Sequence, residues 1–111
     1  MYSATATFSA SPDAVLAAAF YVFRNDYGKT PEQGPRGVST STMLTPFGTA
    51  GAENVTLSVT GVGPEGTTVT VRSRSAPFLL MAGRRNRRNV ERTISRVGEK
   101  LASDQARQDL R

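Results

Sequence analysis

Seven basic side chains crowd one stretch near the end of the chain: Arg84, Arg85, Arg87, Arg88, Arg92, Arg96 and Lys100. Guanidinium groups bind phosphate and carboxylate in a bidentate fork, so a row of them is a candidate anion site. On a helical wheel Arg85, Arg88, Arg92 and Arg96 fall on one face, one turn apart. That face is the sequence's candidate anion or nucleic-acid surface. The same charges also suit a solvated helix face, because Glu91 lies at helical spacing from Arg87 and Arg88, and Glu99 from Arg96. No aromatic residue interleaves with the arginines, so a stacking platform for single-stranded nucleic acid is missing from this segment.

Other chemistry is narrowed by residue type. The chain has no histidine and no cysteine. Ser-His-Asp triads, thiol catalysis and His- or Cys-based metal sites are therefore excluded. Gly61-x-Gly63-x-x-Gly66 matches the dinucleotide string, yet it falls between two alternating runs where no helix N-terminus would receive a pyrophosphate. The P-loop pattern is absent. No two of the acidic residues form a short spaced pair on one strand or helix face in an apolar setting, so a paired-carboxylate mechanism has no support. The expectation is a non-enzymatic protein with no catalytic residues, no metal and no cofactor. An enzyme of unrecognised type stays as an alternative.

These residues must be positioned by elements that the hydrophobic pattern reveals. Tyr2, Ala4, Ala6, Phe8 and Ala10 alternate with Ser and Thr, the period of a half-buried strand. Ser11-Pro12-Asp13 is a helix start, with a hydroxyl cap, a proline at the first position and a negative charge in the first turn. Val15, Leu16, Ala19, Phe20 and Phe23 then follow at helical spacing, and residues 25–28 stop it. Residues 29–37 read as a loop on Pro31, Gly34, Pro35 and Gly37. Residues 38–44 read as a second strand and residues 45–53 as another loop. Val55, Leu57 and Val59, a Gly/Pro turn, then Val69 and Val71 make a β-hairpin. Residues 76–83 hold Pro77, Phe78, Leu79, Leu80 and Met81, an apolar stretch expected to enter the core. A last helix over residues 84–102 follows, in which Val90, Ile94, Val97 and Leu101 form one stripe about 60° wide.

The fold expected is α+β, in the order β-α-β-β-β-α, with an antiparallel sheet and two helices packed on one face. Residues 1–103 form a single domain and residues 104–111 a frayed C-terminal tail. This order resembles shortened helix-grip domains of the START and polyketide-cyclase type. The likeness rests on "ATFSASPDAV" from Ala6, on "GTTVTVRS" from Gly66 and on the amphipathic last helix. It implies an apolar ligand held between the long helix and the sheet. The string Gly83-Arg84-Arg85-Asn86-Arg87-Arg88-Asn89 is similar to arginine-rich RNA-binding helices of viral and phage regulators.

Two functional expectations follow. The first is a small non-catalytic binding or interaction domain. It would use an apolar groove lined by Val15, Phe20, Phe23, Val90, Ile94 and Val97, or present an anionic partner with its arginines. The second is a nucleic-acid-binding protein acting through Arg85, Arg88, Arg92 and Arg96. The net charge of +5 permits attraction to nucleic acid, anionic lipid or an acidic protein without choosing among them. No stretch reaches the roughly 18 apolar residues of a membrane span, and the first ten residues do not read as a signal peptide. With no cysteine, the expected setting is cytoplasmic. An exposed sheet edge leaves a homodimer open.

Overall fold

The computed structural model describes residues 2–27, 32–34, 37–41, 54–74 and 82–110. The first strand, β1 (Tyr2–Phe8), alternates half-buried apolar with exposed hydroxyl residues, as its sequence requires. The chain bends at Ser9 and Ala10, where the Ala10 N–H donates to the Phe8 carbonyl at 2.8 Å. Helix α1 (Pro12–Tyr27) starts there. The Ser11 hydroxyl accepts from the Ala14 N–H at 3.2 Å, satisfying a donor that the first turn cannot. Val15, Leu16, Ala18, Ala19, Val22 and Phe23 form its buried face.

Strands β2 (Glu32–Gly34), β3 (Gly37–Ser41), β4 (Asn54–Gly63) and β5 (Gly66–Arg74) complete a five-stranded sheet of order β1-β5-β4-β3-β2. Every pair in it is antiparallel. The fold is α+β, as the sequence pattern implies, with one strand more than that pattern displays. β2 lies within the stretch read as a loop. Three residues between Pro31 and Pro35 are too few to show a period of two, and an edge strand is where nearby proline does least harm to a sheet. The apolar stretch at residues 77–81 lies outside the described residues.

The β4–β5 hairpin turns through Pro64 and Glu65, with Gly63 opposite Gly66. Gly66 has φ +128°, a region open to glycine alone. A Cβ there would also sit 2.0 Å from the Phe8 carbonyl oxygen, so this glycine lets β1 and β5 close together at their shared end.

Both helices cover one face. On β5 the inward side chains Thr67, Val69, Val71 and Ser73 are fully buried, as are Val55 and Leu57 on β4. The opposite face carries Ser3, Thr5 and Thr7 beside Thr68, Thr70, Arg72 and Arg74, with Thr7 and Thr68 sharing a hydroxyl hydrogen bond of 2.9 Å. Helix α1 packs over β3, β4 and β5. Helix α2 (Ala82–Asp109) packs over β1 and β5, beside α1. The α2 stripe is Asn86, Val90, Thr93 and Val97, all buried, flanked by half-buried Ile94 and Leu101. The helix outruns the apolar pattern. Residues 104–109, expected as tail, continue it, held by a Lys100–Asp104 ion pair at 2.9 Å and by the Gln105 side-chain amide, whose Nε2 donates to Asp109 Oδ1 at 3.2 Å.

Replacing Gly66 by alanine forces both a disfavoured backbone angle and a backbone clash. Gly66→Ala is expected to lower the unfolding free energy by about 2 kcal/mol or more. Urea denaturation checks it, and an unchanged midpoint would show that the turn relaxes freely.

Candidate functional site

The arginines of α2 are only in part available to an outside anion. Arg96 donates from Nε to Asp26 Oδ2 at 3.0 Å and from Nη2 to Asp26 Oδ1 at 3.4 Å, a two-pronged grip on the end of α1. Its Nη1 reaches Glu99 Oε2 at 2.8 Å. The hydrogen bonds to Asp26 and then Glu99 hold the Arg96 guanidinium above its ordinary pKa. Arg92 approaches the same Asp26 oxygen at 3.9 Å. Arg87 donates to Glu91 Oε1 at 2.9 Å, and that bond likewise raises its pKa. Arg88 is exposed and has no carboxylate partner among the described residues. The Arg85 side chain lies outside them. Of the four arginines singled out by spacing, two therefore converge on a carboxylate of the protein itself.

The candidate groove residues are placed in the interior. Val15, Phe23, Val90 and Val97 have no exposed surface, and Phe20 and Ile94 are half-buried against them. Beneath the first half of α2 lies a polar cluster that the apolar pattern did not reveal. The Ser73 hydroxyl donates to Asn86 Oδ1 at 2.9 Å, Asn89 Nδ2 donates to Ser73 Oγ at 3.3 Å, and the Thr93 hydroxyl donates to the Asn89 carbonyl at 2.7 Å. The available signal was spacing: Asn86, Val90, Thr93 and Val97 recur at i, i+4, i+7 and i+11, so two polar residues share the buried stripe.

Among the described residues an opening lies further along the helix. Past Phe8 the sheet ends, and α2 overhangs the turn into α1. The recess beneath has a volume of about 750 Å³. Its walls are Phe8 and Ala10, then Ala14 and Ala17 of α1, then Gly98 and Leu101 of α2. Ser9, Ser11, Asp104, Gln105 and Gln108 supply its polar groups. Gly98 faces the Phe8 ring, which a Cβ there would meet at an ordinary van der Waals distance of 3.5 Å. A second, smaller recess of about 260 Å³ lies between the helices beside Tyr21, Arg96, Lys100 and Arg107. There the Lys100 ammonium sits 4.2 Å from the centre of the Tyr21 ring.

The Glu99 carboxylate, which lines the smaller recess, is held by Arg96. Asp104 is the one carboxylate of the larger recess, and it is held by Lys100. Among the described residues no group of three or more acidic side chains gathers to hold a metal ion. Among them, too, no helix is long and apolar enough to cross a membrane. No family model matches the sequence, and none of the curated proteins matches it.

The Asp26 carboxylate is 9% exposed, whereas Arg96 and Arg92 are 43% and 59% exposed. Removing the closer arginine strands a nearly buried charge. Arg96→Ala is expected to lower Tm by several degrees and Arg92→Ala by less. Thermal scans of both variants check the ranking, and equal effects would contradict the assigned geometry.

Proposed function

We propose that the chain is a small binding domain that holds an apolar or amphipathic molecule in the recess under the overhanging end of α2. The observation that carries this reading is the recess itself. At about 750 Å³ it falls within the range of small-molecule sites, roughly 300–1,000 Å³. Its lining is mixed: Phe8, Leu101 and the small residues supply apolar surface, and Ser9, Ser11, Asp104, Gln105 and Gln108 supply at least as much polar surface, a mixture that suits an amphipathic molecule. Alanine and glycine at positions 10, 14, 17, 98 and 102 keep it open.

The element order supports the same reading. A first strand beside the last, an antiparallel meander and a long closing helix resemble the helix-grip arrangement, in which an apolar ligand lies between helix and sheet. Here Val90, Thr93 and Val97 fill the space directly beneath α2. The ligand position is therefore shifted towards the C-terminal end of the helix. The arginine face has less behind it as a nucleic-acid surface, because Arg92 and Arg96 face Asp26 and Arg87 is held by Glu91.

Titration with Nile red, a neutral dye whose emission shifts to the blue in apolar surroundings, tests the recess. The wild type is expected to bind it saturably, one dye per chain. Ala14→Leu and Ala102→Leu, at exposed helix positions that line the recess, are expected to weaken binding at least tenfold with the helical circular dichroism unchanged. No saturable binding by the wild type, or equal binding by the filled variants, would refute the reading.

A further inference from the structure

The outer edge of β1 leaves apolar surface that nothing in the described fold covers. β1 stands first in the strand order and is paired on one side, with β5. On β5, which has a neighbour on each side, all four inward residues from Thr67 to Ser73 are fully buried. On β1 the four inward residues Tyr2, Ala4, Ala6 and Phe8 are all only half-buried. The core is closed at β5 and open at β1.

Protein edges are ordinarily blunted by lysine, proline, a bulge or shortness, because an unpaired ladder of N–H and C=O groups invites another strand. β1 has none of these guards. Its seven residues carry no charge and no proline, and its register with β5 runs without a shift. The far edge differs, since β2 is three residues long and contains Glu32.

We propose that β1 is the central strand of a homodimer, pairing antiparallel with β1 of a second copy about a two-fold axis through Thr5. The sequence is its own complement in that register. Tyr2 falls opposite the second copy's Phe8, Ser3 opposite its Thr7, and Ala4 opposite its Ala6. Directly opposed residues share a face of a sheet, so apolar meets apolar on the helix side and hydroxyl meets hydroxyl on the other. A slip of one residue sets alanine against threonine, and a slip of two shortens the ladder. The contact is isologous, as a two-fold axis demands. Each chain carries net +5, which opposes association at long range, and the uncharged β1 adds no like-charge contact to the meeting line. The surface shares Phe8 with the recess, whereas the axis residue Thr5 is exposed on the opposite face of the sheet and is not part of the recess lining.

The chain has no cysteine, which makes a single introduced thiol diagnostic. In the proposed register the two Thr5 Cα atoms lie about 4.5–5.5 Å apart, within the span of a disulfide. Thr5→Cys is expected to form a disulfide-linked dimer readily under mild oxidation. Ser3→Cys, which faces threonine rather than itself, is expected to stay mostly unlinked. In sedimentation equilibrium the wild type is expected at about twice the chain mass of 11.9 kDa. Thr5→Lys, which sets two ammonium groups on the axis, is expected at the single-chain mass with its circular dichroism preserved. A wild type at single-chain mass would overturn the proposal. So would equal cross-linking of the two cysteine variants, or a dimer indifferent to Thr5→Lys.

Discussion

β1 and β5 pair over seven residues, from Tyr2 opposite Ser73 to Phe8 opposite Thr67, and most of the chain lies between the two partners. This long-range ladder dictates where the remaining elements can go. It places the first strand at one side of the sheet and obliges the α1 connection to cross to the other side before β2, β3 and β4 return towards β5. It also sets the platform for α2, whose buried stripe rests on those two strands. Gly66 is the residue that allows the closest approach, since any side chain there would strike the backbone of Phe8.

The recess follows from a mismatch of lengths. A seven-residue strand extends about 24 Å, whereas a helix of 28 residues extends about 42 Å. α2 begins beside the Ser73 end of the platform, so its last turns project past Phe8 with their sheet-facing side uncovered. Apolar surface there comes from Leu101 and from the small residues of both helices, and Lys100–Asp104 and Gln105–Asp109 keep the projecting turns helical. The open recess in this fold is thus a product of geometry at the end of the sheet, while the middle of the α2–sheet interface is a packed interior.

Elements with a clear period were legible in the residues. β1, α1, the β4–β5 hairpin and the Val90–Val97 stripe all announce themselves by alternation or by helical spacing, and the α+β class follows from their order. β2 was not legible, because three residues cannot display a period. The end of α2 was not legible either, since a helix that has left its platform needs no apolar stripe. The site was legible only in part. Spacing alone can put Arg92 and Arg96 on one helix face, but it cannot show that Asp26, on another helix, lies beneath them. It cannot show that Asn86 and Thr93 are buried, because their side chains look solvent-facing until Ser73 is found opposite. The recess depends on relative element lengths in three dimensions, which a one-dimensional pattern does not contain.

Residue-resolved amide hydrogen exchange tests the central claim that α2 is docked along half its length and projects along the rest. Amides of residues 90–97 are expected to exchange only through global unfolding, with protection like that of β5, while amides of residues 103–109 exchange orders of magnitude faster through local fraying. Uniform protection to the end of α2, or residues 90–97 exchanging as fast as residues 103–109, would contradict the account.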